Sequence, residues 1–229
     1  MERDALAERV SIERTIETTT HGRYLVLPAA RSSAPLLVGF HGYAELAEAQ
    51  LDRLRTIPGV DRWTVVCVQG LNRFYERRTN NVIAGWMTRQ DRELAIHDNI
   101  AYVGRVVDAV AQERNAGGVV VFAGFSQGVA MAYRAAAAAG LATRRIGGVI
   151  SVGGDVPPEI ENDALRRIGT ALVCRGIRDQ WYSTETHKTD LQRLRASDVA
   201  VQALEYDGAH EWTPEVAAAA SRLLDRWQP

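Results

Sequence analysis

The hydrophobic residues of the chain fall into short continuous runs, separated by longer stretches in which apolar residues recur at every third or fourth position. Continuous runs are typical of strands buried on both faces of a parallel sheet, and the wider spacing indicates helices that cover such a sheet. The predicted strands span residues 36–40, 63–68, 119–123, 146–152, 171–174 and 199–206. The predicted helices span residues 45–57, 91–115, 127–139, 163–168, 184–196 and 214–227.

Two regions depart from this alternation. Residues 13–20 and 23–27 are extended runs on either side of His21 and Gly22, which predicts an antiparallel hairpin, preceded by a short helix or a loose lead-in over residues 1–10. Residues 70–86 form a long polar loop without a clear period, and its length suggests a functional loop. Together the elements predict a single α/β domain over residues 1–229. Its mostly parallel central sheet would carry the N-terminal hairpin and helices on both faces, with no large cap domain.

Composition narrows the classes of protein. Of the 229 residues, 46% are hydrophobic and 24% are charged, as in a soluble globular protein. The formal net charge of −1 gives no indication of the basic face that a nucleic-acid partner requires. No run approaches the roughly 18 apolar residues of a membrane span. The charged N-terminus lacks the apolar core of a secretion signal, so the expected location is the cytoplasm.

The two cysteines lie in runs that predict buried strands: Cys67 in TVVCV and Cys174 in ALVCR. We interpret them as reduced thiols of the core, because the close spacing of a metal-binding or redox pair is absent. Neither a metal nor an organic cofactor is expected. The sequence leaves the oligomeric state open, with a homodimer among the alternatives.

The strongest chemical signal is the G-x-S-x-G sequence Gly124-Phe125-Ser126-Gln127-Gly128. It follows one predicted strand and begins a predicted helix, which is the strand–turn–helix context of a nucleophile elbow. A strand that reverses sharply into a helix crowds the backbone on both sides of the serine, and glycine fits there because it lacks a Cβ atom. Ser126 is therefore the candidate nucleophile.

A serine hydroxyl needs a neighbouring base, and two histidines follow Ser126 in the chain. His187 lies in a polar helical stretch and is interpreted as a solvated surface residue. His210 directly follows the last predicted strand, so its loop can reach the carboxyl edge of the sheet. His210 is the candidate base.

The acid that orients such a base should lie in another loop at the same edge of the sheet. Asp179 follows the predicted strand 171–174 and is the candidate. Asp155, which follows the preceding strand, is its competitor. The order serine, acid, histidine along the chain is the order that α/β-hydrolase triads follow.

A tetrahedral intermediate also needs hydrogen-bond donors for its oxyanion. One candidate is the backbone N–H of Gln127, the residue after the nucleophile. We assign the second donor to the backbone of Tyr43, in the loop His41-Gly42-Tyr43 that follows the predicted strand 36–40. His41 is interpreted as a residue that shapes this loop through side-chain hydrogen bonds rather than as a base.

The segments that carry this chemistry are GFHGYAE, GWMTRQDRE, AGFSQGVAMAYRAA, RGIRDQWYS and YDGAHEW. Together they resemble the phospholipase/carboxylesterase group of α/β-hydrolases, which includes acyl-protein thioesterases, from about residue 36 to the end. The resemblance implies a compact fold without a large cap and the hydrolysis of ester or thioester bonds. It places the nucleophile on Ser126, the acid on Asp179, the base on His210, and the oxyanion amides on Tyr43 and Gln127.

The chain departs from the pattern of that group in three places. Val129 stands where the group usually has a second glycine after the elbow. The run GWMT, residues 85–88, stands where a W-F-D element is frequent. The loop before it contains Arg73, Arg77 and Arg78, which could hold an anionic group of a substrate or could form a solvated loop.

Three tryptophans fall near the predicted active edge, and aromatic side chains often line small-ligand pockets. Trp86 and Trp181 are tentative substrate contacts, and Trp212 is a weaker one. The expected function is hydrolysis of small soluble carboxylic esters or thioesters through an acyl-enzyme. The first alternative is a lysophospholipase or acyl-protein thioesterase, and the second is a non-catalytic ligand-binding protein on the same fold.

Overall fold

The computed structural model describes residues 11–116, 118–138 and 144–227, so the predicted lead-in over residues 1–10 lies outside the described residues. Alternating strands and helices follow one another as the hydrophobic pattern predicts. The strands are β1 (Tyr24–Leu27), β2 (Leu36–Phe40), β3 (Thr64–Val68), β4 (Asn72–Tyr75), β5 (Val82–Gly85), β6 (Val119–Phe125), β7 (Arg145–Val152), β8 (Thr170–Gly176) and β9 (Ala200–Tyr206). The α-helices are α1 (Ala47–Arg55), α2 (Arg92–Arg114), α3 (Gln127–Ala137), α4 (Asn162–Arg166), α5 (Thr184–Ala196) and α6 (Pro214–Leu224).

The central sheet has seven strands in the order β1-β3-β2-β6-β7-β8-β9. All neighbouring pairs are parallel except β1 and β3. The mostly parallel sheet is therefore confirmed. Parallel strands end at the same edge of the sheet, so the loops after β2, β6, β8 and β9 lie along one edge.

The predicted N-terminal hairpin is wrong. Residues 13–20 form no strand, and β1 pairs antiparallel with β3, with Tyr24 opposite Val68 and Leu27 opposite Val65. Residues 11–20 are exposed, including Ile12 and Ile16, so this segment has no apolar face to bury against a partner strand. The partner of β1 is instead β3, whose five residues are all buried.

The predicted loop over residues 70–86 contains a second, two-stranded sheet made by β4 and β5. Its residues lack an apolar period because most of the hairpin is exposed to solvent and only its end is buried. Ala84 attaches this end to the chain after β2: its carbonyl accepts from the N–H of Ala44, and its N–H donates to the carbonyl of Glu45.

Helices cover both faces of the central sheet, as predicted. One apolar cluster packs α2, α3, α4 and α5 against one face, and a second packs α1 and α6 against the other. Cys67 and Cys174 are buried in the second cluster as free thiols, which confirms their interpretation as core residues. Among the described helices, none combines the length and the apolar character needed to cross a membrane.

Candidate active site

The turn between β6 and α3 carries Ser126 in a strained backbone conformation, with φ of 53° and ψ of −125°. Non-glycine residues rarely adopt a positive φ, and such strain concentrates at functional sites. Two backbone hydrogen bonds of 2.9 Å hold the turn: Ser126 N–H donates to the carbonyl of Val152, and Val129 N–H donates to the carbonyl of Ser126. The side chain of Ser126 is thereby presented at the end of β6, ahead of the first turn of α3.

The glycines on either side of Ser126 have the role that the motif predicts. A Cβ atom on Gly124 would lie 2.4 Å from the carbonyl oxygen of Gly128, and one on Gly128 would lie 2.2 Å from that of Phe40. Both distances are far inside van der Waals contact. The close approach of β6, α3 and the end of β2 therefore requires glycine at both positions.

Asp179 and His210 come together although 31 residues separate them. His210 Nδ1 lies 2.8 Å from Asp179 Oδ2. The other carboxylate oxygen, Oδ1, accepts hydrogen bonds from the backbone N–H groups of Trp181 (2.8 Å) and Tyr182 (3.0 Å). The Asp179 side chain is fully buried and the imidazole of His210 is 21% exposed. The carboxylate is thus held rigidly, and it orients the ring.

The competing residues lie elsewhere. Asp155 is exposed, two residues beyond Gly153, whereas Asp179 holds the imidazole of His210. The interpretation of His187 as a solvated surface residue is wrong. Its side chain is only 3% exposed and packs edge-on against Tyr182. The helix α5 turns His187 towards the sheet, where burial lowers the pKa of its imidazole.

A cavity of about 650 Å³ contains Ser126 and His210 in its wall. Gly42 and Tyr43, from the loop after β2, line the same cavity. The backbone N–H groups of Tyr43 and Gln127 make no hydrogen bond to any residue that the structure describes. The cavity therefore brings together a hydroxyl, an imidazole and the loop that carries one of two free amide donors.

The loop after β2 is built on His41, which is completely buried. Its Nδ1 atom lies 2.7 Å from the carbonyl oxygen of Gly42, and its Nε2 atom accepts a hydrogen bond of 3.0 Å from the N–H of Gly70. The ring also packs against Trp86 with 5.0 Å between centroids. These contacts agree with the interpretation that His41 shapes the loop.

Trp86 is also completely buried, so the prediction that it contacts substrate is wrong. Its indole N–H donates to the carbonyl of His41 at 2.8 Å, and its backbone N–H donates to Gln127 Oε1 at 2.9 Å. Asn99 Nδ2 donates to its carbonyl. The tryptophan joins the loop after β2 to the first residue of α3 from beneath.

The other aromatic candidates face solvent or the cavity. Trp181 is 85% exposed and does not line the cavity that contains Ser126. Trp212 does line the cavity, and its indole N–H donates to Thr56 Oγ1 at 3.1 Å. This bond links the end of α1 to the loop that carries His210.

The three arginines of the β4–β5 hairpin are exposed. Arg73 donates to the carbonyl of His21 at 3.0 Å, which attaches the hairpin to the segment before β1. Arg77 and Arg78 lie in the turn between the two strands. None of the three lines the cavity that contains Ser126.

Comparison with known proteins gives the wider context of this site. The sequence profile of the family described as phospholipase/carboxylesterase matches residues 21–228. The chain belongs to the phospholipase/carboxylesterase family. Its membership shows that the protein is a hydrolytic enzyme. No curated protein matches the chain.

Solved structures share the fold of this phospholipase/carboxylesterase family member. The Bacillus cereus carboxylesterase is 15% identical, with a TM-score of 0.71 over 90% of this chain and 94% of that one. A carboxylesterase from Mesorhizobium loti is 17% identical, with a TM-score of 0.71 over 89% and 94% of the two chains. Zea mays acyl-protein thioesterase 2 is 17% identical, with a TM-score of 0.69 over 90% and 99%.

Sequence reasoning missed three residues at the site of this family member: Glu45, Arg53 and Phe125. All three line the cavity, and a charge pair links the first two. One signal was available for Arg53, because it lies on α1 beside Gln50 and Leu54, which are buried. An unpaired cation next to a buried helix face is costly, so a nearby carboxylate could have been expected. Among the described residues, no group of three His, Cys, Asp or Glu side chains could hold a metal ion.

Proposed function

We propose that the protein hydrolyses carboxylic esters of small soluble substrates through a Ser126–His210–Asp179 triad. The observation that carries the proposal is the 2.8 Å contact between His210 Nδ1 and a buried carboxylate whose other oxygen is already held by two backbone N–H groups. A second support is that His210 and Ser126 line the same cavity. The backbone of Ser126 also has the strained conformation of a nucleophile elbow.

The proposed reaction follows from the tautomer of His210. Because the Nδ1–H group donates a hydrogen bond to the Asp179 carboxylate, Nε2 is the basic atom and takes the proton from the Ser126 hydroxyl. The oxygen of Ser126 attacks the carbonyl carbon of the ester, and the backbone N–H groups of Tyr43 and Gln127 donate to the resulting oxyanion. The imidazolium then gives its proton to the leaving alcohol or thiol, and an acyl-enzyme remains. Water, activated by the same imidazole, releases the acid.

The residues that line the cavity favour substrates with a small acyl group. The cavity is lined by the charged or polar side chains of Glu45, Asp52, Arg53 and Thr56, and also by the apolar or aromatic side chains of Tyr43, Ala49, Phe125 and Trp212. A long alkyl chain in this cavity would remove the charged groups of its lining from water, which is costly. A short acyl group is therefore the better fit to this cavity.

The test is hydrolysis of p-nitrophenyl esters with acyl chains of increasing length, by the wild type and by Ser126→Ala and His210→Ala. We expect activity on the short esters, its loss in both variants, and labelling of Ser126 by a fluorophosphonate. A thioester and a lysophospholipid are assayed in parallel, because a preference for either would support the thioesterase or lysophospholipase alternative. A wild type that is inactive and unlabelled would contradict the proposal and favour a ligand-binding protein.

Trp181 is the remaining candidate among the predicted aromatic contacts. We propose that its exposed ring contacts the part of the substrate that extends out of the cavity, beside the loop of Asp179. Replacement of Trp181 by alanine should raise KM, because the contact of the ring with the substrate is lost. It should leave kcat unchanged, because the hydrogen bond from the backbone N–H of residue 181 to Asp179 is retained. The single-domain organisation, the cytoplasmic location and a homodimer stay predictions from the sequence.

A further inference from the structure

The side chain of Glu45 connects the loop after β2 to helix α1. Its Oε2 atom accepts a hydrogen bond of 2.8 Å from the backbone N–H of Gly42. The backbone of Glu45 is itself held in place, because its carbonyl accepts from Ala84 in β5. The carboxylate therefore fixes the backbone of Gly42. The next residue is Tyr43, and its backbone N–H is one of the proposed oxyanion donors.

Arg53 neutralises this carboxylate in a two-pronged ion pair. Its Nη1 and Nη2 atoms donate to the two oxygens of Glu45 at 2.6 and 2.5 Å, respectively. The two side chains are only 18% and 24% exposed, so solvent screens the pair weakly. Burial raises the pKa of Glu45, but the bonds from Arg53 and Gly42 outweigh this effect and leave the pKa below its ordinary value. The carboxylate accordingly stays ionised at neutral pH.

The guanidinium of Arg53 also contacts the wall of the site. Its Cζ atom lies 3.9 Å from the ring centroid of Phe125, in a cation–π contact. Phe125 directly precedes Ser126, and its ring packs against the imidazole of His210 with 5.0 Å between centroids. The ion pair thus contacts the loop after β2 on one side and, on the other, the ring of Phe125 that packs against His210.

We propose that Glu45 and Arg53 are positioning residues of the active site. They fix the position of the Tyr43 backbone N–H, a proposed oxyanion donor, relative to the imidazole of His210. The inference rests on the proposed function, because it assigns a role only if Tyr43 and His210 act in catalysis. Neither residue touches the reacting bond. Their contribution is made through Gly42 and Phe125, and it is needed most in the transition state, where the oxyanion and the imidazolium carry charge.

The test separates transition-state binding from substrate binding. For each variant we would measure kcat and KM on a short p-nitrophenyl ester and the inhibition constant of an alkylboronic acid, whose tetrahedral adduct places an oxygen in the oxyanion hole. Glu45→Ala should lower kcat by about 10- to 100-fold, leave KM within about twofold and weaken boronate binding by a similar factor.

Conservative variants provide the rescue. Glu45→Gln keeps an oxygen that can accept from Gly42, so it should recover most of the kcat lost in Glu45→Ala. Arg53→Met should lower kcat, and Arg53→Lys should recover part of it, because lysine restores the charge without the two-pronged geometry. If the two residues act as a unit, the Glu45→Ala/Arg53→Met double variant is no slower than the worse single variant.

Arg55→Met is the matched control. It lies on the same helix and forms an ion pair with Asp52 through a single contact of 3.3 Å, but this pair is exposed and makes no hydrogen bond to the loop after β2. We expect wild-type kcat and boronate binding in this control. Circular dichroism and the melting temperature identify any variant that fails to fold, and Glu45→Gln then decides the question.

Two results would overturn the inference. The first is a kcat within twofold of wild type in both Glu45→Ala and Arg53→Met. The second is a loss of kcat without any loss of boronate affinity in folded variants. Both differ from a failure of the proposed function, in which the wild type itself neither hydrolyses the ester nor reacts with a fluorophosphonate.

Discussion

His41 Nε2 accepts a hydrogen bond of 3.0 Å from the backbone N–H of Gly70. An N–H donor requires an acceptor, so Nε2 carries no proton, and the proton of the neutral ring lies on Nδ1, which donates to the carbonyl of Gly42 at 2.7 Å. The folded protein therefore needs the neutral form of His41. Burial also lowers the pKa of this imidazole from its ordinary value, because the charged form loses its hydration, and this effect outweighs the bond to Gly42, which raises the pKa.

The first prediction concerns stability in acid. An unfolded His41 titrates near its ordinary pKa of about 6.5, and the folded one titrates lower. Its contribution to the free energy of unfolding is present above that pH and is lost as the pH falls towards the folded value. Denaturation of wild type and His41→Gln between pH 5 and 8 should therefore show a shallower loss of stability in the variant.

The control for this experiment is His97→Gln, because the side chain of His97 is 82% exposed. That variant should keep the wild-type pH dependence. His187 is also buried with a lowered pKa, so part of the slope will persist in His41→Gln. Equal slopes in wild type and His41→Gln would show that the neutral state of His41 does not contribute.

The second prediction concerns Asp179→Asn. The Oδ1 position accepts from two backbone N–H groups, so the amide oxygen of asparagine should occupy it and leave the NH₂ group facing His210. The imidazole would then present an acceptor at Nδ1 and hold its proton on Nε2, the wrong atom for a base. We expect kcat to fall by about 10⁴ with little change in KM. The exposed residue Asp155 provides the control, and Asp155→Asn should retain activity.

The third prediction compares two glycines. A Cβ atom at Gly128 would lie 2.2 Å from the backbone oxygen of Phe40, so Gly128→Ala should lower the free energy of unfolding by about 1–3 kcal/mol and displace the elbow. At Gly104, within α2, a Cβ atom meets nothing within 4 Å, so Gly104→Ala should stabilise by about 0.5–1 kcal/mol. Urea denaturation of both variants tests whether the free energy of unfolding changes in opposite directions. A Gly128→Ala variant that is active and more stable than wild type would refute the packing argument.

The fourth prediction concerns Asp190, on the buried face of α5. Burial raises the pKa of its carboxyl to about 6, although Tyr182 and Val156 both donate to its Oδ2 atom. Because the folded pKa lies above the unfolded one, the contribution of Asp190 to stability is greatest in acid and is lost as the pH rises through about 4 to 6. The amide oxygen of Asp190→Asn can accept both bonds, so this variant should be more stable than wild type at pH 8, on the order of 2 kcal/mol.

The advantage of Asp190→Asn should disappear near pH 4, where the wild-type carboxyl is protonated. Melting temperatures measured across this range give the comparison. Asp163→Asn, at a position with an 87% exposed side chain, should show no such crossover. If Asp190→Asn were less stable than wild type at pH 8, the carboxylate would contribute more through its hydrogen bonds than its burial costs.

Local patterns in the sequence were sufficient for most of the fold. The continuous apolar runs become β2, β3, β6, β7, β8 and β9, and the helix predicted over residues 184–196 matches α5 residue for residue. The elbow around Ser126 could also be recognised, since its glycines and its strand–turn–helix context are adjacent in the chain. Periodicity and turn chemistry depend on neighbouring residues, so a single sequence carries them.

Contacts between distant segments could not be predicted in this way. Residues 13–20 have an extended pattern but form no strand. Their predicted partner, residues 23–27, contains β1, which pairs with β3 instead. His187 lies in a polar stretch, yet α5 turns it towards the sheet, and Trp86 lies in a polar loop, yet it packs beneath the loop of His41. Which side chains are covered depends on elements far away in the chain.

The sequence by itself determined the order of strands and helices, the candidate nucleophile, and the loops that could supply its acid and base. Only the tertiary structure decided that Asp179 Oδ2 meets His210, and that Glu45 and Arg53 connect the loop after β2 to Phe125. The physical reason is that backbone preferences act over a few residues, whereas burial and side-chain hydrogen bonds depend on which distant segments pack together.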